Sequence, residues 1–287
     1  MMTALSRSRT TVAPGGFGDV RPRVKRDISE NSPRRLITNT WVLTVRLLRR
    51  WSRDRTTVLE SLVMPVTLLL TLNIVLGKGI SQLTGHSALY GSVPLIAMVG
   101  AMSGSMVGGI GLMRERTDGW LSRLWALPVH RATGLLSRLA ADAVRIVATT
   151  AVVMCAGMLL GFRFRQGVLG SLVWLFIPIA FGVAFTMIVI TLALYSAKTI
   201  AVEATEIVWG VLMFFSTGFL PLNQFPRWVQ PVVEHQPVSC AVEAMRGLSL
   251  GGPVLAPVVA MLLWSAGIAA ACAIPIAIGY RRASVHE

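Results

Sequence analysis

Apolar residues run in six long blocks along this chain, at 57–76, 89–112, 143–162, 171–195, 204–222 and 254–280. A membrane-spanning helix needs about 20 mostly apolar residues, so the pattern predicts six transmembrane helices. One interruption stands apart. Residues 113–142 form a long polar connection between the second and third blocks, reading MRERTDGWLSRLWALPVHRATGLLSRLAAD. Within it Trp120, Leu121, Leu124, Trp125 and Leu127 recur at spacings of one, three and four, among Arg114, Glu115, Arg116, Arg123, Arg131 and Arg138. On a helix those positions make an apolar stripe beside a basic face, the form of a segment that seats in a partner's groove.

Three other stretches carry a pattern. Residues 36–56 place Ile37, Trp41, Val45 and Leu48 at helical spacing and gather Arg46, Arg49, Arg50 and Arg53 elsewhere on the helix. Such a segment is expected to lie in the inner membrane interface with its arginines on anionic headgroups. The alternative is a helix packed on the protein's own cytoplasmic side. The second block repeats Gly100, Gly104 and Gly108 every four residues, which lets another helix approach closely, within the subunit or across a subunit interface. Between the fifth and sixth blocks lies a proline-rich insert, too polar to span and too apolar for a free loop. Short external helices folded onto the outer mouth would satisfy its backbone.

Composition agrees with a polytopic membrane protein: 54% of residues are hydrophobic, only 14% are charged, and mean hydropathy is +0.65. The net charge of +14 does not indicate nucleic acid, because the basic residues are distributed between apolar spans. With the N-terminus inside, all but five of the 27 Lys and Arg residues fall on cytoplasmic segments. The five are Lys78, Arg163, Arg165, Arg227 and Arg246, so the positive-inside bias puts both termini in the cytoplasm. The expected organisation is therefore a disordered basic tail at 1–35, an interfacial amphipathic helix at 36–56 and an all-α, six-span transmembrane domain at 57–282.

Catalytic chemistry is sparse. There is no GxxxxGK[ST] phosphate loop, no HExxH, no CxxC and no GxSxG, and the four histidines are scattered. The three cysteines have no metal or disulfide spacing. Glu60, Glu203 and Glu206 fall near the inner ends of their spans, where they can snorkel or pair with Arg53, Arg145 or Lys198, or line an inner entrance for substrate. Trp209, Phe214, Phe215 and Phe219 in the fifth span, with the glycines of the second, are candidates for a subunit interface and the path beside it. Packing within the chain is the other reading of these aromatics.

Taken together these features resemble a type-2 ABC exporter permease. The resemblance lies in RERTDGWLSRLWALPVHRATGLLSRL after the second span, in FFSTGFLPLNQFPRWVQPVVEHQPVS after the fifth, and in the AMRG at 244–247. GFRFRQG at 161–167 and QPVSCAVEAMRGLSLGGPVL look like the C-subunit permease of actinobacterial daunorubicin/doxorubicin-resistance-type exporters. The resemblance covers about 40–282. It implies two permease subunits, this one paired with a second six-span paralogue, above two copies of a separate ATPase that holds the ATP and Mg. No cofactor is then expected on this chain. It also implies that 119–127 is a coupling helix in the ATPase groove, with Gly119, Trp120, Leu121, Leu124, Trp125 and Leu127 seated, Arg114, Glu115, Arg116 and Arg123 around them, and Pro128 as its stop. The implied cargo is hydrophobic antibiotic or complex cell-envelope lipid, moved outward across the cell membrane. Rival readings are a gradient-driven carrier and a non-transporting membrane scaffold.

Overall fold

The computed structural model describes residues 33–119, 132–196 and 200–285. Helices form nearly all of it: α1 Pro33–Arg53, α2 Arg55–Thr84, α3 Leu89–Thr117, α4 Thr133–Leu159, α5 Gly167–Tyr195, α6 Ile200–Phe214, α7 Gln230–His235, α8 Pro237–Leu250 and α9 Leu255–Val285, with a single 3-10 turn at Leu222–Gln224. Among the described residues there is no strand. Five helices, α2, α3, α4, α5 and α9, are long and apolar enough to cross a bilayer.

Sequence and structure differ at several boundaries; α1 starts at Pro33, inside the expected tail, and three further differences bear on the site. The segment expected at 36–56 ends at Arg53, because Asp54 turns the chain and caps α2: its carboxylate accepts from the Thr57 hydroxyl at 2.7 Å and from the Thr57 backbone N–H at 3.4 Å. Those bonds hold the Asp54 carboxyl below its ordinary range, the hydroxyl bond contributing most. The third span starts at Thr133 rather than at 143, so Arg138, Asp142 and Arg145 lie inside α4. The block at 204–222 is helical only to Phe214. Beyond that point α8 satisfies the backbone instead: the Gln236 side-chain amide donates to the Phe215 carbonyl, and the Thr217 N–H donates to Ser239 Oγ at 3.2 Å. Gly218 fits there because any Cβ would stand 3.0 Å from Leu95 Cβ.

α3 and α5 form the centre, each burying 56% of its apolar window, whereas α2 and α9 bury 17%. The outer helices thus leave wide apolar faces for lipid or another subunit. In lipid no hydrophobic force draws helices together, so packing and polar contacts must do so. The α3–α5 seam has both, with the Ser105 and Thr186 hydroxyls 2.8 Å apart amid Ala101, Met102, Phe181 and Val189.

At the α8 end, the GFRFRQ stretch that carries two of the five outlying arginines closes the bundle with rings and backbone. Phe162 is fully buried and packs on Tyr90 (5.3 Å between centroids), Phe164 (5.1 Å) and Trp174 (6.1 Å). The Arg165 N–H donates to the Ser249 carbonyl at 3.1 Å, and the Gln166 amide donates to the Gly247 carbonyl at 3.3 Å. This ties the α4–α5 connection to α8.

Candidate functional site

The polar features converge at the opposite end, around the close of α3. Glu115 accepts from Arg138 of α4 and lies 3.6 Å from Arg50 of α1, so one carboxylate clasps three helices. Its neighbour Arg116 donates to the carbonyls of Leu194 at 2.7 Å and Ser196 at 3.1 Å. Those carbonyls belong to the open C-terminal turn of α5, where a cation is favoured. Arg114 is exposed. Gly119 follows with φ of +68°, a left-handed turn that a side chain would strain. The rest of the expected coupling helix and its stop, with Trp120, Leu121, Arg123, Leu124, Trp125, Leu127 and Pro128, lies outside the described residues.

α1 presents two faces. Thr44 is buried and donates to the Ser137 carbonyl of α4 at 3.2 Å, while Ile37, Trp41 and Val42 are 70%, 65% and 59% exposed. The helix therefore packs on the protein along one side and offers apolar and basic residues along another.

The glycine repeat is filled from within the chain. A Cβ at Gly100 would stand 2.5 Å from Thr149 Cγ2, and at Gly108 it would meet the Arg145 guanidinium at 3.2 Å; Gly104 faces the same guanidinium at 3.9 Å. Arg145 pairs with Asp142 one turn before it, and both side chains are nearly enclosed, at 11% and 6% exposure. Sequence reasoning placed Arg138 in the polar connection and offered Arg145 as a partner for the span glutamates, but did not pair Arg145 with Asp142. Their signal was present in the spacing, since 138, 142 and 145 share one helix face just ahead of an apolar run.

Other sequence candidates separate. Trp209 is buried against Phe181 (6.2 Å) and Phe185 (6.0 Å). Phe214 and Phe215 remain 56% and 49% exposed, and Phe214 packs edge-on against Phe219 at 5.3 Å. Glu60, Glu203 and Glu206 are exposed on α2 and α6, and none makes an ion pair among the described residues. His235 Nδ1 lies 2.9 Å from the Pro231 carbonyl, and the Ser239 hydroxyl accepts from the Thr217 N–H and the Gln236 amide.

Residues 38–250 match the ABC-2 type transporter family. The chain is 52% identical over 258 residues to the probable doxorubicin resistance ABC transporter permease protein DrrC of Mycobacterium tuberculosis, covering 90% of this chain and 94% of that protein. It is 28% identical over 230 residues to the daunorubicin resistance ABC transporter permease protein DrrB1 of Streptomyces coeruleorubidus, covering 79% and 81%. The helices braced by Glu115 and Arg116 lie within the matched residues, and the chain belongs to the ABC-2 type transporter family as a membrane permease subunit of an ABC exporter.

Proposed function

We propose that this permease moves hydrophobic or amphipathic compounds outward, driven by two copies of a separate ATPase that grip the loop after α3. The observation that carries the coupling reading is the brace at the root of that loop. Glu115 ties α3 to α4 and α1, and Arg116 ties α3 to α5. A push on 118–132 would reach four helices through charge-assisted bonds rather than dissipate in one. The amphipathic stripe of Trp120, Leu124 and Trp125 seats in the ATPase groove, with Arg123 at its rim.

In this reading the chain crosses the membrane six times with both termini inside. α6 alone is roughly 22 Å long at 1.5 Å per residue, short of a hydrocarbon core of about 30 Å. The crossing finishes through the turns at 215–221, whose backbone is satisfied by α8, as non-helical backbone at that depth requires. α1 lies in the inner interface, and the exposed faces of α2 and α6, including Phe214 and Phe215, meet a second permease or the path beside it. ATP and Mg stay on the ATPase. The cargo is of the class named for the relatives, anthracycline drugs, or a cell-envelope lipid of similar apolar character.

The test replaces Trp120 and Trp125 together with Asp and measures how much ATPase copurifies. The expected result is loss of the ATPase with an unchanged elution profile for the permease. ATPase retained at full stoichiometry overturns the coupling assignment.

A further inference from the structure

A cavity of about 330 Å³ lies between α1, α3 and α4. That volume is within the range of small-molecule sites. Its walls carry Arg50, Arg114, Arg138 and Arg145 against Asp54, Glu115 and Asp142. The carboxylates are all engaged: Asp54 by Thr57, Glu115 by Arg138 and Arg50, and Asp142 by Arg145. The donors are not. Arg145 Nε and the indole N–H of Trp51, which also lines the cavity, are buried without an acceptor, and Arg114 has no ion pair among the described residues. A buried donor left unmatched is costly, and two around one cavity, with the exposed Arg114 at its wall, call for an acceptor-rich guest.

We infer that this cavity binds a phosphate-type anionic headgroup. Arg145 supplies the inner donors, held against the bare backbone of Gly108, where a Cβ would stand 3.2 Å from the guanidinium. Behind it, a void of about 10 Å³ beside Gly100 and Ser61 has room for no more than about one water, so the guest enters from the α1 side. Arg50 also lines the groove that holds Trp41, Arg46, Arg49 and Arg53 on the exposed side of α1. It therefore joins the headgroup layer to the cavity. Leu47, Leu48, Val107 and Ile110 give the wall an apolar portion suited to the first part of a tail. The same chemistry could take free phosphate, and the experiment separates the two sources.

The full chain is placed in phosphatidylcholine nanodiscs, phosphatidic acid is titrated in, and retained lipid is counted by native mass spectrometry. The paired variant Asp142→Asn with Arg145→Gln removes both charges and leaves neither unmatched, and phosphatidic acid binding is expected to weaken about tenfold or more. Asp142→Asn alone frees the guanidinium and is expected to strengthen binding. Arg114→Gln, at an exposed position, is expected to weaken it about two- to threefold and covers the case in which the buried variants fail to fold. Displacement of the lipid by inorganic phosphate at matching concentration assigns the site to the free anion, and resistance to it assigns the site to the lipid. Unchanged retention of phosphatidic acid in the paired variant or in Arg114→Gln overturns the inference, as does a folded Asp142→Asn chain that binds less.

Discussion

The two ends of the helix bundle are held by different physics. At the α8 end, rings and backbone close the structure: Phe162, Phe164 and Trp174 interlock, and the Ser249 and Gly247 carbonyls take the α4–α5 connection. At the α1 end, guanidiniums and carboxylates do the joining, through Glu115, Arg116, Arg138, Asp142 and Arg145. Close packing gives its energy in one geometry and loses it on small displacement. Charge pairs on long side chains survive a shift of an ångström or so. If the loop after α3 takes the push as proposed, the end that receives it is built from contacts that stretch, and the other end from contacts that hold.

The strongest way to break this contrast is at the ring cluster. Trp174→Ala removes a fully buried side chain and is expected to cost about 3–5 kcal/mol, read as a lower unfolding temperature in detergent. A cost near zero would mean that the α8 end is not close-packed. The middle of the bundle offers a sharper pair. Alanine at Gly109 would put Cβ 2.4 Å from Val189 Cγ1 and is expected to cost about 1–3 kcal/mol, whereas Gly111 has nothing within 4 Å and the same change there is expected to stabilise the helix by about 0.5–1 kcal/mol.

The pattern of apolar blocks made five long helices and the polar break after the second legible from the sequence. It misplaced the start of α4 because hydropathy counts each charge as a cost, while Arg138, Asp142 and Arg145 are paired and therefore tolerated inside a helix of the bundle. It overran α6 because 215–222 are as apolar as a helix, and only the partners on α8 show that this backbone needs no helix. The glycine repeat was visible, but its occupant was not: the sequence supplied the small residues and could not show that Thr149 and Arg145 fill the space beside them.

Smaller effects refine the comparison. Glu115→Gln leaves Arg138 and Arg50 without their shared carboxylate. The expected loss is about 1.5 kcal/mol, the low end for a charged bond because Glu115 is partly open. At the other end Arg246 pairs with Glu243 and donates to the Thr217 carbonyl, each at 2.7 Å. Arg246→Gln is expected to cost about 1 kcal/mol and to leave ATP turnover unchanged, because it lies at the end away from the loop after α3. A larger effect of Arg246→Gln on turnover than of Glu115→Gln would reverse the roles assigned to the two ends.

The most direct measurement concerns Arg116, whose guanidinium joins the root of the loop after α3 to the last carbonyls of α5. In the assembled complex in lipid, the stimulation of ATP turnover by doxorubicin or by envelope lipid, whichever stimulates the wild type, is compared with that of Arg116→Ala. The predicted result is that the ATPase stays bound and basal turnover persists, while stimulation falls by about tenfold or more, the loss of a charge-assisted link between α3 and α5. Full stimulation in Arg116→Ala would contradict the claim that this end of the bundle carries the push.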